Sequence, residues 1–108
     1  MLDTHSIQRA IKQEAEHHIY SRGLHYFRSG QVKGWEAEQR GAEVLVITGQ
    51  VRGGELYTVV LEFDVKNEAF TTLECTCPYG DVCKHAVALG LAFADDMGIR
   101  SPSILETR

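Results

Sequence analysis

Three cysteines and a histidine fall within eleven residues: Cys75, Cys77, Cys83 and His85, in the spacing C-x-C-x5-C-x-H. They are all the cysteines of a 108-residue chain and one of its five histidines. Side chains of these types could form a metal site, a nucleophile with its base, or a redox pair. A nucleophilic thiol needs one base and one orienting group, which leaves two further cysteines without a part. A redox pair usually reads C-x-x-C at a helix start, and this spacing differs. Buried unreactive cysteines are common core residues, but they seldom fall together with a histidine and a Pro-Gly turn. Three thiolates and one imidazole are a soft tetrahedral donor set suited to Zn²⁺, with about 2.3 Å to sulfur and about 2.0 Å to nitrogen. Four protein ligands leave no open position for water, so one structural zinc is expected, with no catalytic residue and no enzymatic activity. Such a cluster carries a net charge of −1, which Lys84 and the amino-terminal end of the following helix partly offset.

The spacing also says where the ligands must sit. Residues two apart on a strand project from the same face, about 7 Å along the chain, so Cys75 and Cys77 belong at a strand end, bent by Pro78. Inside a helix the same spacing points to nearly opposite sides. Cys83 is therefore expected at or before a helix start and His85 in its first turn, with Pro78-Tyr79-Gly80-Asp81 turning the chain between them. Little else orders this loop, so metal binding should be part of folding.

The remaining elements follow from periodicity. Asp3 or Thr4 can cap a first helix whose Ile7, Ala10, Ile11 and Ala15 share one face. A second helical pattern runs through Ile19, Tyr20, Gly23, Leu24 and Phe27, with Gly23 as a close-packing point and Gly30 as the stop. Whether these are two helices or one bent helix is open from the pattern alone. Strands are expected over Val32–Gln39, Glu43–Val51, Glu55–Asp64 and Ala69–Cys75, with turns at Gly41, Gly53-Gly54 and Lys66-Asn67. In the third, Tyr57, Val59, Leu61 and Phe63 face one way. Short connections make this a four-stranded antiparallel meander and the whole an α+β domain. From His85 to Ala94 no residue is charged, which reads as a buried helix ending near Asp95-Asp96-Met97-Gly98, too short to span a bilayer. Residues 1–98 are expected to form one domain, with 99–108 a tail or the start of a further region.

The net charge is −4, but it is unevenly spread. Between Arg9 and Lys33, the basic Arg9, Lys12, Arg22, Arg28 and Lys33 stand against Glu14 and Glu16 alone, whereas Gly34 to Glu74 holds eight acids against Arg40, Arg52 and Lys66. A basic face of this kind can meet phosphates or an acidic partner; a solvated helix surface is the simpler reading of the same charges. Arg22, Arg28, Lys33 and Lys84 are the candidate nucleic-acid contacts, with Tyr26 beside them. Trp35, Tyr20 and Phe27 could stack on bases, though aromatics at helical spacing are more often core. His5, His17, His18 and His25 read as surface or packing residues, and Glu36 and Glu38 as a solvated strand face rather than an acid–base pair. The polar start lacks an apolar signal segment, so a reducing, cytoplasmic location is expected.

The stretch CTCPYGDVCKHAVAL resembles the core of the SWIM zinc finger, in which C-x-C-Pro, a polar turn and Cys-Lys-His lead into a small-apolar helix. RGLHYFRSGQV and ITGQVRGGELYTVVLEF resemble the segments that precede the finger in bacterial members, so the likeness covers about Tyr20 to Phe93, with a finger core at 73–94. It implies a β-hairpin followed by a helix, zinc held by Cys75, Cys77, Cys83 and His85, and a role in binding DNA or proteins rather than small molecules or catalysis. Family members often precede Swi/Snf-type helicases, which implies such a helicase core as a partner. No G-x-x-x-x-G-K-[ST] loop occurs here, so the resemblance implies a free-standing member or an excised amino-terminal domain.

Overall fold

A computed structural model describes residues 4–78 and 82–105. The order is α1 (Thr4–Glu14), α2 (His17–Arg28), β1 (Val32–Arg40), β2 (Val44–Arg52), β3 (Leu56–Asp64), β4 (Ala69–Cys75) and α3 (Lys84–Leu105). The four strands pair in sequence order, each antiparallel to the next. The fold is the expected α+β domain, and the amino-terminal pattern is two helices.

Local chemistry explains the punctuation. Gly30 ends α2 at φ +75°, a conformation that lets its N–H reach the Phe27 carbonyl at 3.1 Å and that of Gln31 reach Tyr26 at 3.0 Å. This pairing satisfies two carbonyls of the last turn. Between β3 and β4 the Asp64 carboxylate accepts from the N–H groups of Lys66 and Asn67, at 3.0 and 3.2 Å, and fixes that turn. The β2–β3 connection is longer than the expected two-residue turn. It comprises Gly53, Gly54 and Glu55, closed by the Gly53 N–H donating to the Glu55 carbonyl at 2.7 Å. On β1 the register slips between Val32 and Gly34, which leaves Lys33 as the extra residue of a bulge.

The core is organised around α3, which touches every other element: the sheet through all four strands, and both α1 and α2. Residues Ala86 to Ala94 are buried all round, as a helix without a polar face must be. Ile47, Val59, Leu61 and Phe63 of the sheet and Ile7 and Ile11 of α1 meet it with no exposed surface or almost none. The sheet's other face carries Glu36, Glu38, Glu62 and Glu74, which the register sets in two neighbouring rows.

One expectation is corrected. α3 does not end near Gly98 but continues to Leu105. Glycine stops a helix when it takes the left-handed conformation, and Gly98 is not among the glycines that do. Inside a helix it costs only about 1 kcal/mol relative to alanine. Residues 99–105, which carry no clear element in the sequence pattern, are therefore helical, while Asp3 and residues 106–108 lie outside the described residues.

α2 and α3 approach closely at Gly23, where a Cβ would overlap the Val87 side chain and come within 2.9 Å of the Lys84 carbonyl. Neither neighbour is the free end of a flexible chain. Gly23→Ala should destabilise the domain by about 1–2 kcal/mol, overpacking of roughly 1–3 kcal/mol outweighing up to ~1 kcal/mol of helix propensity. Thermal unfolding should show a melting temperature several degrees lower, and an unchanged or raised one would contradict the close contact.

Candidate metal centre

The ligand residues come from three places that the fold brings together. Cys75 is the last residue of β4 and lies opposite Val59 of β3. The chain then leaves the ladder at a fixed point: the Thr76 N–H donates to the Thr58 carbonyl and the Thr58 N–H to Thr76 Oγ1, both at 3.1 Å. The strand ends two residues earlier than a two-ligand strand would need, and a bend rather than extended chain carries Cys77, whose N–H points at Cys75 Sγ at 3.5 Å. Cys83 directly precedes α3, and its carbonyl accepts the Val87 N–H at 3.1 Å. His85 follows in the first turn. Of the turn between the pairs, Tyr79, Gly80 and Asp81 lie outside the described residues.

The four donor atoms all lie within 4.8 Å of one another. Nδ1 of His85 stands 3.6 Å from Cys75 Sγ and 3.7 Å from Cys83 Sγ. A tetrahedral zinc with bonds of about 2.3 Å to sulfur and 2.0–2.1 Å to nitrogen would separate S and N by roughly 3.6 Å. The residues present therefore fit the ion, and Nδ1 is the nitrogen that would hold it. No other group of three or more such side chains comes together among the described residues; His5, His17, His18 and His25 are exposed.

Electrostatics point the same way. Cys77, Cys83 and His85 are buried and Cys75 is half-buried. Burial pushes the Cys75 thiol up to about 12 and raises Cys83 as well. It also lowers His85, with the neighbouring Lys84 charge acting in the same direction. Thiols so placed resist ionising unless a cation compensates them, and the imidazole is held in the neutral form that binds metal.

A tyrosine box surrounds the histidine. The Tyr57 ring lies 4.7 Å and the Tyr26 ring 5.4 Å from that of His85, centroid to centroid. Burial, then Glu55, keeps the Tyr57 hydroxyl protonated by raising its pKa. Gly53 completes the box, since a Cβ there would sit 2.7 Å from His85 Nε2 and 2.9 Å from Tyr57 Cε2. Neither role was readable as such. Alternation sets Tyr57 on the face of Val59, but only the Val59–Cys75 register brings that face to the ligands. Gly53-Gly54 in turn reads as turn chemistry alone.

The candidate nucleic-acid residues are divided. Arg22 and Lys84 line one cavity of about 160 Å³ beside the ligands, together with Tyr26 and Tyr57. Lys84 Nζ stands 5.6 Å from the Tyr26 ring centroid, within cation–π range. Arg28 lies instead on a groove with Arg9 and Lys12. Lys33 donates to the Gly30 carbonyl at 2.9 Å near the β1 bulge. Trp35 is committed to packing: its Nε1 donates to Asp96 at 2.6 Å and its ring meets Phe93 edge-on.

A closed Cys3His cluster joining a strand end to a buried helix defines a protein with one structural zinc site. Residues 57–92 match the family model of the SWIM zinc finger. That segment holds β3 from its second residue, β4, all four ligands and the first part of α3. No curated protein and no solved structure matches the chain.

Two outcomes are expected. Because zinc binds thiolates and a neutral imidazole, loading should release about three protons near pH 7. Affinity should fall steeply as pH is lowered below the raised thiol range. Calorimetry in buffers of different ionisation enthalpy counts these protons, and a value near one would remove two cysteines from the site. Gly53→Ala should displace the His85 ring and raise the zinc dissociation constant roughly 10- to 100-fold, the range for disturbed outer partners of a ligand. Competition with a chromogenic chelator measures it, and unchanged retention would contradict the Gly53 contact.

Proposed function

We propose that this zinc-stabilised domain is a binding module, not an enzyme, and that it binds nucleic acid, DNA in particular, through its helical side. The observation that carries this reading is the convergence of Arg22 and Lys84, from α2 and α3, on one aromatic-walled cavity beside the zinc ligands. Charge segregation supports it: Arg9, Lys12 and Arg28 share a neighbouring groove, while the acidic rows lie on the far face of the sheet. Such a distribution orients a polyanion toward the helices despite the net charge of −4. The SWIM likeness adds a DNA-transaction context, with a Swi/Snf-type helicase core as partner. Reduced thiols suit a cytoplasmic setting, and no helix among the described residues is long and apolar enough to cross a membrane.

A second reading is an adaptor that binds protein alone. Its basis is the acidic outer sheet face, where Val46 and Val60 lie among the glutamates. Fluorescence anisotropy with labelled single- and double-stranded DNA, and with RNA, separates the two. Nucleic-acid binding predicts weak affinity that falls linearly in log–log form with salt, by about 0.9 per phosphate neutralised on duplex DNA. Arg28→Ala should reduce that slope by roughly one if it meets a phosphate. Flat titrations at low salt would overturn this reading, and a complex with the helicase core on size exclusion would then favour the adaptor.

A further inference from the structure

The cavity next to the zinc ligands contains an unmatched donor. His85 is 4 % exposed and lines the cavity. Its Nδ1 faces the sulfurs, and Nε2 has no hydrogen-bond partner among the described residues. With Nδ1 on zinc, a neutral imidazole carries its proton on Nε2. A metal-bound histidine almost always donates that proton to a carboxylate, a carbonyl or water, and a buried donor left alone costs about 1–3 kcal/mol. Gly53 packs against Nε2, so closely that a Cβ would lie 2.7 Å away, and only the bare glycine backbone covers that flank of the buried nitrogen. Gly54, Tyr57 and Tyr26 continue the wall of the cavity.

The missing acceptor is indicated by the charges around the donor. Lys84 and Arg22 stand on the lining, and Arg22 is exposed with no ion pair among the described residues. The amino-terminal end of the long helix α3 opens beside them, where backbone N–H groups favour an anion. On the lining itself two cations exceed the net −1 of a zinc–trithiolate cluster, and Glu55, whose charge reaches Tyr57, is not among the lining residues. A carbonyl or water would satisfy Nε2 but leave Arg22 unused, whereas an anionic tetrahedral oxygen group answers all three donors.

We infer that the cavity is a phosphate site, in which Arg22, Lys84 and the Nε2–H of the zinc ligand His85 converge on a single phosphate group. The inference rests on the nucleic-acid reading for its source, a backbone phosphate, while free phosphate would offer the same chemistry. It makes the zinc ligand itself part of the binding surface. By linkage, phosphate binding should also strengthen the hold on zinc, and zinc the hold on phosphate.

The test follows the His85 Nε2–H resonance of the zinc-loaded, ¹⁵N-labelled chain by NMR during titration with a short single-stranded oligothymidylate, thymidine monophosphate or inorganic phosphate. A saturable shift with the oligonucleotide is expected. Arg22→Gln and Lys84→Gln should each weaken the underlying affinity about tenfold or more, as for loss of one charged hydrogen bond. Each should keep its zinc, as read by metal analysis. If the oligonucleotide binds while the Nε2–H signal stays fixed and both variants bind as the parent, the phosphate site is overturned and the nucleic-acid reading stands. If inorganic phosphate or the monophosphate moves the signal and the oligonucleotide does not bind, the site stands and the nucleic-acid source is overturned. No shift and no binding with any of the three overturns both.

Discussion

The structure depends on keeping three sulfurs and one imidazole nitrogen within 4.8 Å of one another in a largely dry place. As thiols they gain little from this crowding, and as thiolates they would repel and lack solvation. One divalent cation reverses the sign of the problem, because each thiolate then meets a charge it can coordinate. For zinc-finger peptides the apparent binding energy is on the order of 10–16 kcal/mol, comparable to the whole stability of a small domain. Here that energy is applied at the junction where the sheet hands the chain to α3. The ligands pin β4 at Cys75, the bend at Cys77 and the helix start at Cys83 and His85.

What the junction holds in place is a helix with no solvent face over its first half. α3 is apolar from Ala86 to Ala94 and is covered by the sheet, α1 and α2 together. Glycines allow the closest approaches: Gly23 to Val87, Gly49 to Leu89 and Gly90 to Ile11. Each removes a Cβ that would hold the elements apart. Interiors packed this closely transmit displacement rather than absorb it, so the position of His85 is coupled to the seating of α3 on α2. The proposed binding residues inherit this order, since Arg22 sits one position before Gly23 and Lys84 one before His85.

Much of this was legible in the sequence. All four strands fall within a residue or so of their expected limits, because β-branched alternation and glycine turns agree there. The ligand set is legible because four rare donors fall at a spacing that suits a strand end and a helix start. The failures share a cause. The end of α3 was misread because Gly98 carries the composition of a stop without the left-handed backbone that makes one. The tyrosine box was missed because Tyr57, Tyr26 and His85 come from three elements, and only the register of β3 on β4 and the seating of α2 bring them together. Gly53 looks like turn chemistry because a one-dimensional reading has no way to show that its missing Cβ faces His85. Trp35 illustrates the same limit: its partner, Asp96, is sixty-one residues away.

In the proposed function the closed site separates the metal from the binding surface. With four protein ligands the ion has no vacancy for chemistry, and it acts through the surfaces it fixes. That claim stands or falls on the coordination sphere, so X-ray absorption spectroscopy of the zinc-loaded protein tests it most directly. The account predicts three sulfurs at about 2.3 Å and one nitrogen at about 2.0 Å, with no oxygen ligand. Two sulfurs, or a sphere containing an oxygen from water, would contradict it.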